Sequence, residues 1–245
     1  MTTMAPDVVL LRSADPAPDR YVEAFAEVGL EARCEPVLRF RFPSSTALRD
    51  RLSSPSDYAA LLATSPRAAT ALDRAFERWP DCRTAWEGRT VYVVGPKTGR
   101  RMQALGLVPE GADTGSAKAL VQYLREHPPS GPLLFLSGNR RRDTIPNGLE
   151  AADIAFEEEV VYETHSRTSL GLPPPASTTW LVFFSPSGLE AIQQAEVTPT
   201  HYRIAAIGPT TAGALRDEGL SVTAVAEQPS PDGLVAAIQQ ADVKG

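Results

Sequence analysis

The sequence predicts an α/β fold built on mainly parallel sheets. Short apolar runs alternate with segments of helical periodicity along the whole chain, which is the pattern of successive βα units. Most of the runs are apolar at consecutive positions, as expected for strands that helices cover on both faces. The predicted strands are Val8–Arg12, Tyr58–Thr64, Thr90–Gly95, Leu133–Ser137, Val160–Thr164, Trp180–Ser185, Arg203–Gly208 and Ser221–Ala226.

The intervening helices are predicted from their first and last residues. Several begin with Pro, Ser or Thr, which suit the first turn because the N–H groups there have no partner within the helix. Gly29, Gly106 and Gly219 each follow an apolar periodic run, where a left-handed residue ends a helix. The predicted helices begin near Asp19, Pro66, Lys97, Ser116, Ile145, Ser187, Thr210 and Pro231.

An internal repeat predicts two similar halves. The turn Thr64-Ser65-Pro66-Arg67 is matched by Phe184-Ser185-Pro186-Ser187, and Val94-Gly95-Pro96-Lys97-Thr98 is matched by Ile207-Gly208-Pro209-Thr210-Thr211. A chain of 245 residues is long enough for two compact domains. The polar stretches Ser44–Ser56 and His165–Thr178 are interpreted as connections between the halves.

Composition excludes several classes of protein. With 42% hydrophobic and 22% charged residues the chain is globular, and its net charge of −6 disfavours nucleic-acid binding. The uncharged stretch Thr168–Leu189 is interrupted by prolines, and Met1–Asp7 lacks the features of a signal peptide, so neither a membrane partner nor export is expected. Two distant cysteines are consistent with a reducing cytoplasm.

Familiar cofactor and metal motifs do not occur. The chain has no Gly-x-Gly-x-x-Gly, no Gly-Lys-Ser/Thr phosphate loop, no His-Glu-x-x-His and no Gly-x-Ser-x-Gly elbow. Its histidines, His127, His165 and His201, lie in separate contexts without the spacing of metal ligands. We therefore expect neither a cofactor nor a metal.

The recurring Ser/Thr-Pro and Gly-Pro turns predict an anion site. Each lies between the carboxyl end of a strand and a helix start, where free backbone N–H groups attract carboxylates and phosphates. Gly138-Asn139-Arg140-Arg141-Arg142-Asp143 adds three guanidinium groups after another strand, and Arg12 and Arg67 lie at similar positions. The alternatives are that the hydroxyls only cap helices and that the arginines form a solvated surface. These residues alone do not separate an enzyme from a binding protein.

Taken in order, several segments resemble the uroporphyrinogen-III synthase family. The resemblance runs from about Val8 to about Ile238 and depends on the order and spacing of short motifs. They are Thr64-Ser65-Pro66-Arg67-Ala68, Val91-Tyr92-Val93-Val94-Gly95, Leu134-Phe135 with Gly138-Asn139, Val161-Tyr162-Glu163-Thr164, Phe183-Phe184-Ser185-Pro186-Ser187-Gly188-Leu189 and Ala206-Ile207-Gly208-Pro209-Thr210-Thr211-Ala212.

This resemblance implies an architecture. It consists of two similar flavodoxin-like, doubly wound parallel-sheet domains joined by a two-stranded connector, with the chain crossing between the domains twice. Domain 1 would comprise residues 1–35 and 167–245, and domain 2 residues 41–162. Residues 36–40 and 163–166 would be the connectors.

The resemblance also implies an activity. The family consists of cofactor-free lyases of haem biosynthesis that close hydroxymethylbilane to uroporphyrinogen III, with loss of water and inversion of the last pyrrole ring through a spiro intermediate. This carboxylate-rich substrate agrees with the predicted anion site. A cytoplasmic monomer that works beside hydroxymethylbilane synthase is expected, with neither nucleic acid nor membrane as a partner.

Individual roles follow from the same resemblance. Tyr162 would donate a proton to the departing hydroxyl, since a phenol with a pKa of about 10 remains protonated at neutral pH. Thr98, Ser185 and Thr211 would offer hydroxyl groups, and backbone N–H groups around Ser65, Ser187 and Thr210 would hold carboxylates. The remaining predicted substrate-binding residues are Arg12, Thr64, Arg67, Arg141 and Arg142. The alternatives are a non-catalytic module that binds a carboxylate-rich ligand and a module for phosphate-bearing ligands.

Overall fold

A computed structural model describes residues 6–174 and 178–244 of the chain. The chain divides into two compact units, unit 1 with Met1–Arg39 and His165–Gly245, and unit 2 with Phe40–Thr164. The domain boundaries implied by the family resemblance stay a prediction. Among the described residues, no helix is both long enough and apolar enough to cross a bilayer.

Strands and helices alternate along most of the chain. The strands are β1 (Val8–Leu11), β2 (Ala32–Cys34), β3 (Leu38–Arg41), β4 (Ala60–Ala63), β5 (Thr90–Val93), β6 (Val108–Glu110), β7 (Leu133–Gly138), β8 (Phe156–Ser166), β9 (Trp180–Phe183), β10 (Arg203–Ala206) and β11 (Val222–Val225). The helices are α1 (Arg20–Glu27), α2 (Thr46–Ser53), α3 (Pro66–Arg78), α4 (Pro80–Trp86), α5 (Pro96–Ala104), α6 (Ala117–Glu126), α7 (Thr144–Glu150), α8 (Pro186–Gln194), α9 (Pro209–Asp217) and α10 (Pro231–Lys244).

Unit 1 contains a five-stranded sheet in the order β2-β1-β9-β10-β11, and neighbouring strands are parallel. Central strands β1 and β9 are buried at every position. One hydrophobic cluster forms around Leu11, Phe183 and Ile192, and a second forms around Leu10, Phe25 and Ile238. Apolar side chains on both faces thus hold the sheet between two helical layers.

Unit 2 contains a six-stranded sheet in the order β3-β8-β7-β4-β5-β6. The pairs β4/β5, β4/β7, β5/β6 and β7/β8 are parallel. Its two hydrophobic clusters are centred on Leu72, Trp86 and Leu134, and on Leu62, Leu124 and Phe135. The predicted α/β fold with parallel sheets is confirmed.

The two sheets have the same spatial order of five strands. The order β2-β1-β9-β10-β11 in unit 1 aligns with the order β8-β7-β4-β5-β6 in unit 2. Strand β1 then corresponds to β7 and β2 to β8, whereas β9, β10 and β11 correspond to β4, β5 and β6. Within unit 1 this is the flavodoxin-like order 2-1-3-4-5. The equivalence aligns β4 with β9 and β5 with β10, which are the strands that precede the repeated turns. The internal repeat seen in the sequence thus corresponds to structurally equivalent elements.

Several elements differ from the sequence prediction. Residues 44–56 were predicted as a connection, but they contain α2, because Ser45 caps the helix and Leu48 and Leu52 are buried. Helix α4 and the strands β2, β3 and β6 were not predicted. The three strands are three or four residues long and only partly buried, so they lack the apolar signal of a central strand. Part of the connection predicted at 165–178, residues 175–177, lies outside the described residues.

Strand β8 is longer than the predicted Val160–Thr164. The acidic run Glu157-Glu158-Glu159 concealed its beginning in the sequence. In the structure these carboxylates are paired: Arg51 contacts Glu157 and Glu159, and Arg141 contacts Glu158. The predicted helix ends at Gly29, Gly106 and Gly219 are confirmed by left-handed φ angles of 78°, 91° and 79°.

Candidate active site

A crevice in unit 2 lies where the strand order reverses. Strands β4 and β7 are adjacent, but the chain leaves β4 toward β5 on one side and leaves β7 toward β8 on the other. In open parallel sheets, ligands bind outside the carboxyl ends of strands at this reversal. Thr64 and Ser65 follow β4, and the arginine run Arg140–Arg142 follows β7. The sheet therefore brings together residues that are about 75 positions apart in sequence.

These residues line a pocket of about 390 Å³, within the usual size range of ligand sites. Five of the predicted site residues meet there: Thr64, Ser65, Arg141, Arg142 and Tyr162. Six further lining residues were not predicted, namely Ser116, Ala117, Lys118, Phe135, Thr144 and Ile145. Residues 116–118 form the start of α6, so a second helix N-terminus joins that of α3 at this pocket.

Serine hydroxyls cap both of these helices. Ser65 Oγ accepts a hydrogen bond from the Arg67 N–H at 3.2 Å, and Ser116 Oγ accepts one from the Ala119 N–H at 3.2 Å. Each cap satisfies one of the N–H groups that the first turn of a helix leaves without a partner. In α6 the N–H groups of Ala117 and Lys118 remain available to an anionic group, whereas in α3 Pro66 has no N–H and those of Arg67 and Ala68 already donate to Ser65. The helix dipole favours negative charge at both helix starts.

The two adjacent arginines of the pocket differ in their contacts. Arg141 donates from Nε to Glu158 Oε1 at 2.6 Å and from Nη2 to Glu158 Oε2 at 2.8 Å, and it also pairs with Asp143. The hydrogen bonds from Arg141 hold the pKa of Glu158 below its usual value. Arg142 is exposed and makes no ion pair with any residue in the described part of the chain. Arg142 is thus the more available of the two for an anionic ligand.

Lys118 is the second available cation. It is exposed in the first turn of α6 and has no ionic partner within residues 6–174 and 178–244. Together with Arg142 and the helix N-termini, it makes this pocket positive although the whole chain carries a net charge of −6. Such a local arrangement favours a carboxylate or phosphate ligand.

Tyr162 lies partly buried at the edge of the same pocket. Its ring packs against the cluster that contains Val161. Among the residues that the structure describes, no group hydrogen-bonds to its hydroxyl. A phenolic O–H with no protein partner at a pocket wall can donate to a bound ligand.

Two other predicted residues of unit 2 are not among those lining the pocket. Arg67 is exposed, and its guanidinium carbon lies 3.9 Å from the centroid of the Phe40 ring. Thr98 is 2% exposed in the first turn of α5, which follows β5, the strand beside β4. Their predicted contact with substrate stays a prediction.

The corresponding strand reversal in unit 1 lies between β1 and β9. Arg12 follows β1, pairs with Asp15 at 2.8 Å and lies 3.5 Å from Asp19. Its guanidinium carbon is 4.9 Å from the Tyr21 ring centroid and 5.3 Å from that of Phe184. Arg12 is therefore held by two carboxylates and two aromatic rings.

Cys34 lies beside this arginine cluster. Its Sγ is 3.7 Å from Asp19 Oδ2. Burial, followed by the charge of Asp19, raises the pKa of Cys34 to about 11. The thiol therefore remains protonated at neutral pH and lacks the reactivity of a nucleophilic cysteine.

The remaining predicted residues of unit 1 lie at two helix starts. Ser185 and Ser187 follow β9, and their hydroxyl oxygens are 2.6 Å apart. Thr210 is exposed in the first turn of α9, whereas Thr211 beside it is 5% exposed. Thr211 and Thr98 thus occupy equivalent buried positions in the two units. The described residues contain no cluster of His, Cys, Asp and Glu that could hold a metal ion.

Comparisons with known proteins show the family to which the chain is similar. The family model described as uroporphyrinogen-III synthase HemD matches residues 19–236. The uroporphyrinogen-III synthase of Schizosaccharomyces pombe is 29% identical, covering 94% of this chain and 95% of that protein, and that of Saccharomyces cerevisiae is 30% identical, covering 73% and 74%. The structure of uroporphyrinogen-III synthetase from Helicobacter pylori has the same fold, with a TM-score of 0.66, 18% identity and coverage of 97% and 99%. The chain therefore belongs to the uroporphyrinogen-III synthase family.

Proposed function

We propose that this protein closes hydroxymethylbilane to uroporphyrinogen III, with loss of water and inversion of the last pyrrole ring. The observation that carries the proposal is the pocket of unit 2, where the free Tyr162 hydroxyl lies with the available cations Arg142 and Lys118. The substrate offers carboxylates for the cations and a hydroxyl leaving group for the phenol. Family membership supports the same reaction.

Tyr162 is proposed as the proton donor to the departing hydroxyl. Departure of water leaves an azafulvenium ion, which becomes the electrophilic azafulvene when its pyrrole N–H releases a proton that replaces the one given by Tyr162. The distant pyrrole attacks the azafulvene to form the spiro intermediate. Fragmentation and reclosure of that intermediate invert one ring. The protein contributes mainly by holding the two ends of the chain together, and proximity of this kind supplies on the order of 7 to 11 kcal/mol in well-oriented systems.

Carboxylate binding is assigned to two kinds of group. Arg142 and Lys118 are proposed to pair with substrate carboxylates, and the backbone N–H groups around Ser65 and at the start of α6 are proposed to donate hydrogen bonds to them. In unit 1, the turns at Ser185, Ser187 and Thr210 are proposed to bind carboxylates in the same way. Arg12 is proposed to contribute less than Arg142, because it is already paired with Asp15 and Asp19. Arg141 is proposed to shape the pocket through Glu158.

The protein is also proposed to act without a cofactor, as a cytoplasmic monomer beside hydroxymethylbilane synthase. Hydroxymethylbilane closes spontaneously to the uninverted isomer I. Prompt transfer from the enzyme that makes it therefore favours isomer III.

A coupled assay tests the activity. Freshly generated hydroxymethylbilane is offered to the purified protein without added metal or nucleotide, and the uroporphyrin isomers are separated after oxidation. We expect isomer III, with isomer I in the reaction without protein. Isomer I alone from folded protein would favour a non-catalytic module that binds a carboxylate-rich ligand.

Tyr162→Phe tests the proton donor. We expect kcat to fall with little change in KM, because the ring remains and only the transferable proton is lost. A general acid typically raises a rate by roughly 100-fold or more. We expect a loss in kcat of about that size or smaller, because the pyrrole itself helps to expel the hydroxyl. Tyr123→Phe, a change outside the pocket, is the control. An unchanged rate in Tyr162→Phe would remove Tyr162 from the mechanism.

A further inference from the structure

We propose that Gly138 and Asn139 are positioning residues that hold the Tyr162 hydroxyl at the pocket of unit 2. The inference rests on the proposed role of Tyr162 as proton donor. It concerns how a side chain on β8 is aimed by the end of the neighbouring strand β7.

The register between the two strands contains an irregularity at this point. Ser137 pairs with Val160, but the next residue, Gly138, pairs with Tyr162, so that Val161 is left between them. An extra residue in one strand re-aims the side chains that follow it. Consecutive side chains of a regular strand point to opposite faces, but here Val161 and Tyr162 both pack against the same hydrophobic cluster. The irregularity therefore determines the direction of Tyr162.

Gly138 provides the space into which the Tyr162 ring turns. A Cβ atom at position 138 would lie 2.7 Å from Tyr162 Oη, and nearer still to Cζ and Cε2. Gly138 is not among the glycines with positive φ, so its backbone conformation does not require glycine. The position requires glycine because the tyrosine ring occupies the place of a side chain.

Asn139 fixes the backbone on both sides of Glu163. Its N–H donates to the Tyr162 carbonyl at 3.2 Å. Its side-chain Oδ1 accepts a hydrogen bond from the Thr164 N–H at 2.8 Å, and its Nδ2 donates one to the Thr164 carbonyl at 3.4 Å. These bonds continue the pairing with β8 beyond the last residue of β7, which limits the movement of Tyr162.

The position of the hydroxyl matters because no described side chain holds it. Tyr162 has no hydrogen-bond partner for Oη within the described ranges, so the ring is oriented by packing and by its backbone. A proton donor must lie within about 3 Å of the atom that it protonates. Displacing the ring by the width of one methyl group would break that geometry.

The first test is a double-mutant cycle with Gly138→Ala and Tyr162→Ala. In the protein with Tyr162, we expect Gly138→Ala to lower kcat about as far as Tyr162→Phe does, with KM changed less than twofold. In the Tyr162→Ala background the added methyl group meets no ring, so we expect no further loss. Gly131→Ala is the matched control, because a Cβ there would lie 3.8 Å from the nearest atom, Ala59 Cβ. An equal loss from Gly138→Ala in both backgrounds would overturn the proposal.

The second test observes Tyr162 directly and remains informative if Gly138→Ala folds poorly. The full chain is labelled with 3-fluorotyrosine at its 6 tyrosines, and the 19F resonance of Tyr162 is identified by its loss in Tyr162→Phe. We expect Asn139→Ala to shift that resonance and to lower kcat, leaving the other resonances and KM in place. A Tyr162 resonance unchanged in Asn139→Ala and in folded Gly138→Ala would overturn the proposal.

The same data separate this inference from the proposed role of Tyr162. If Tyr162→Phe is fully active while Gly138→Ala shifts the resonance, the proton donor is wrong and the positioning stands. If Tyr162→Phe loses activity while Gly138→Ala leaves both resonance and kcat unchanged, the positioning is wrong and the proton donor stands.

Discussion

Arg141 and Arg142 are neighbours in sequence but have different surroundings. Arg141 is bound by Glu158 and Asp143, whereas Arg142 is exposed at the pocket without an ionic partner among the described residues. A cation already paired with a carboxylate contributes less to binding an anion than an unpaired one does. Arg142 should therefore contribute to substrate binding and Arg141 to the shape of the site.

Replacing Arg142 tests this difference. We expect Arg142→Ala to raise KM roughly fivefold, which corresponds to about 1 kcal/mol for an exposed charged contact. Since the residue has no described ionic partner, the free energy of unfolding should stay the same. Arg83→Ala, an exposed arginine of α4 outside the pocket, is the matched control in the same steady-state assay. A KM equal to that of wild type would exclude Arg142 from substrate binding.

Glu158 predicts a pH dependence of stability. Hydrogen bonds from Arg141 lower its pKa in the folded protein, so the ionised form stabilises the fold above the ordinary glutamate pKa of about 4.3. That contribution is lost as pH falls through the lowered pKa. We expect Glu158→Gln to reduce the free energy of unfolding by about 1 kcal/mol near neutral pH and by progressively less in acid. Urea denaturation at a series of pH values measures this, and a difference independent of pH would contradict it.

At the scale of elements, helix α1 depends on the residue that caps it, Asp19. Asp19 accepts hydrogen bonds from the N–H groups of Tyr21 at 3.0 Å and Val22 at 3.3 Å, and from that of Asp15 at 2.6 Å. Burial opposes ionisation of Asp19, but these bonds and the charge of Arg12 outweigh it and lower the pKa. The same carboxylate thus caps the helix and contacts Arg12.

Two substitutions separate these roles. We expect Asp19→Ala to lower the free energy of unfolding by about 1 to 2 kcal/mol, and Asp19→Asn to lower it less, because the amide oxygen still caps the helix. Chemical denaturation of both variants measures the difference. Equal destabilisation by Ala and Asn would mean that the charge, and not the cap, stabilises α1.

The sequence predicts central elements better than edge elements. The strands β1, β4, β7 and β9 are buried on both faces, so their central residues are apolar at successive positions. Such apolar runs can be recognised directly in the sequence. The edge strands β2 and β6 are short and half-buried, and β8 begins with paired glutamates, so their apolar signal is weak.

The candidate site was predictable only in part, for a related reason. The turn at Ser65 and the arginine run follow recognisable strands, so their place at a sheet edge could be inferred. Ser116 could be predicted as a helix start. Its place at the pocket could not, because it depends on β7 lying beside β4, and the order of strands in a sheet cannot be read from the local sequence pattern. The pairing of Arg141 with Glu158 and the space at Gly138 likewise depend on contacts with β8, the neighbouring strand.

At the scale of the whole molecule, unit 2 is one continuous segment. Residues 40–164 contain a complete sheet and two hydrophobic clusters, and the segment begins in β3 and ends in β8, which are neighbours in that sheet. A segment with its own core and adjacent ends has the properties of an independent domain.

Expressing this segment alone tests its independence. We expect residues 40–164 to unfold in one cooperative thermal transition, with the near-ultraviolet circular dichroism of packed aromatic side chains. The variant Leu72→Ala in the same fragment is the control, because this buried residue should lower the transition temperature if the core is native. A gradual transition, insensitive to Leu72→Ala, would show that unit 2 needs the rest of the chain.

The strand orders show how the two sequence repeats are distributed between the sheets. Apart from β3, the chain runs through β1, β2, β4, β5 and β6, and then through their equivalents β7, β8, β9, β10 and β11. Each of these five-strand sets takes two strands from one repeat and three from the other, so each repeat contributes strands to both sheets. Domain-swapped dimers exchange identical elements between subunits in this way. Here the exchange lies within a single polypeptide, and neither unit consists of one repeat alone.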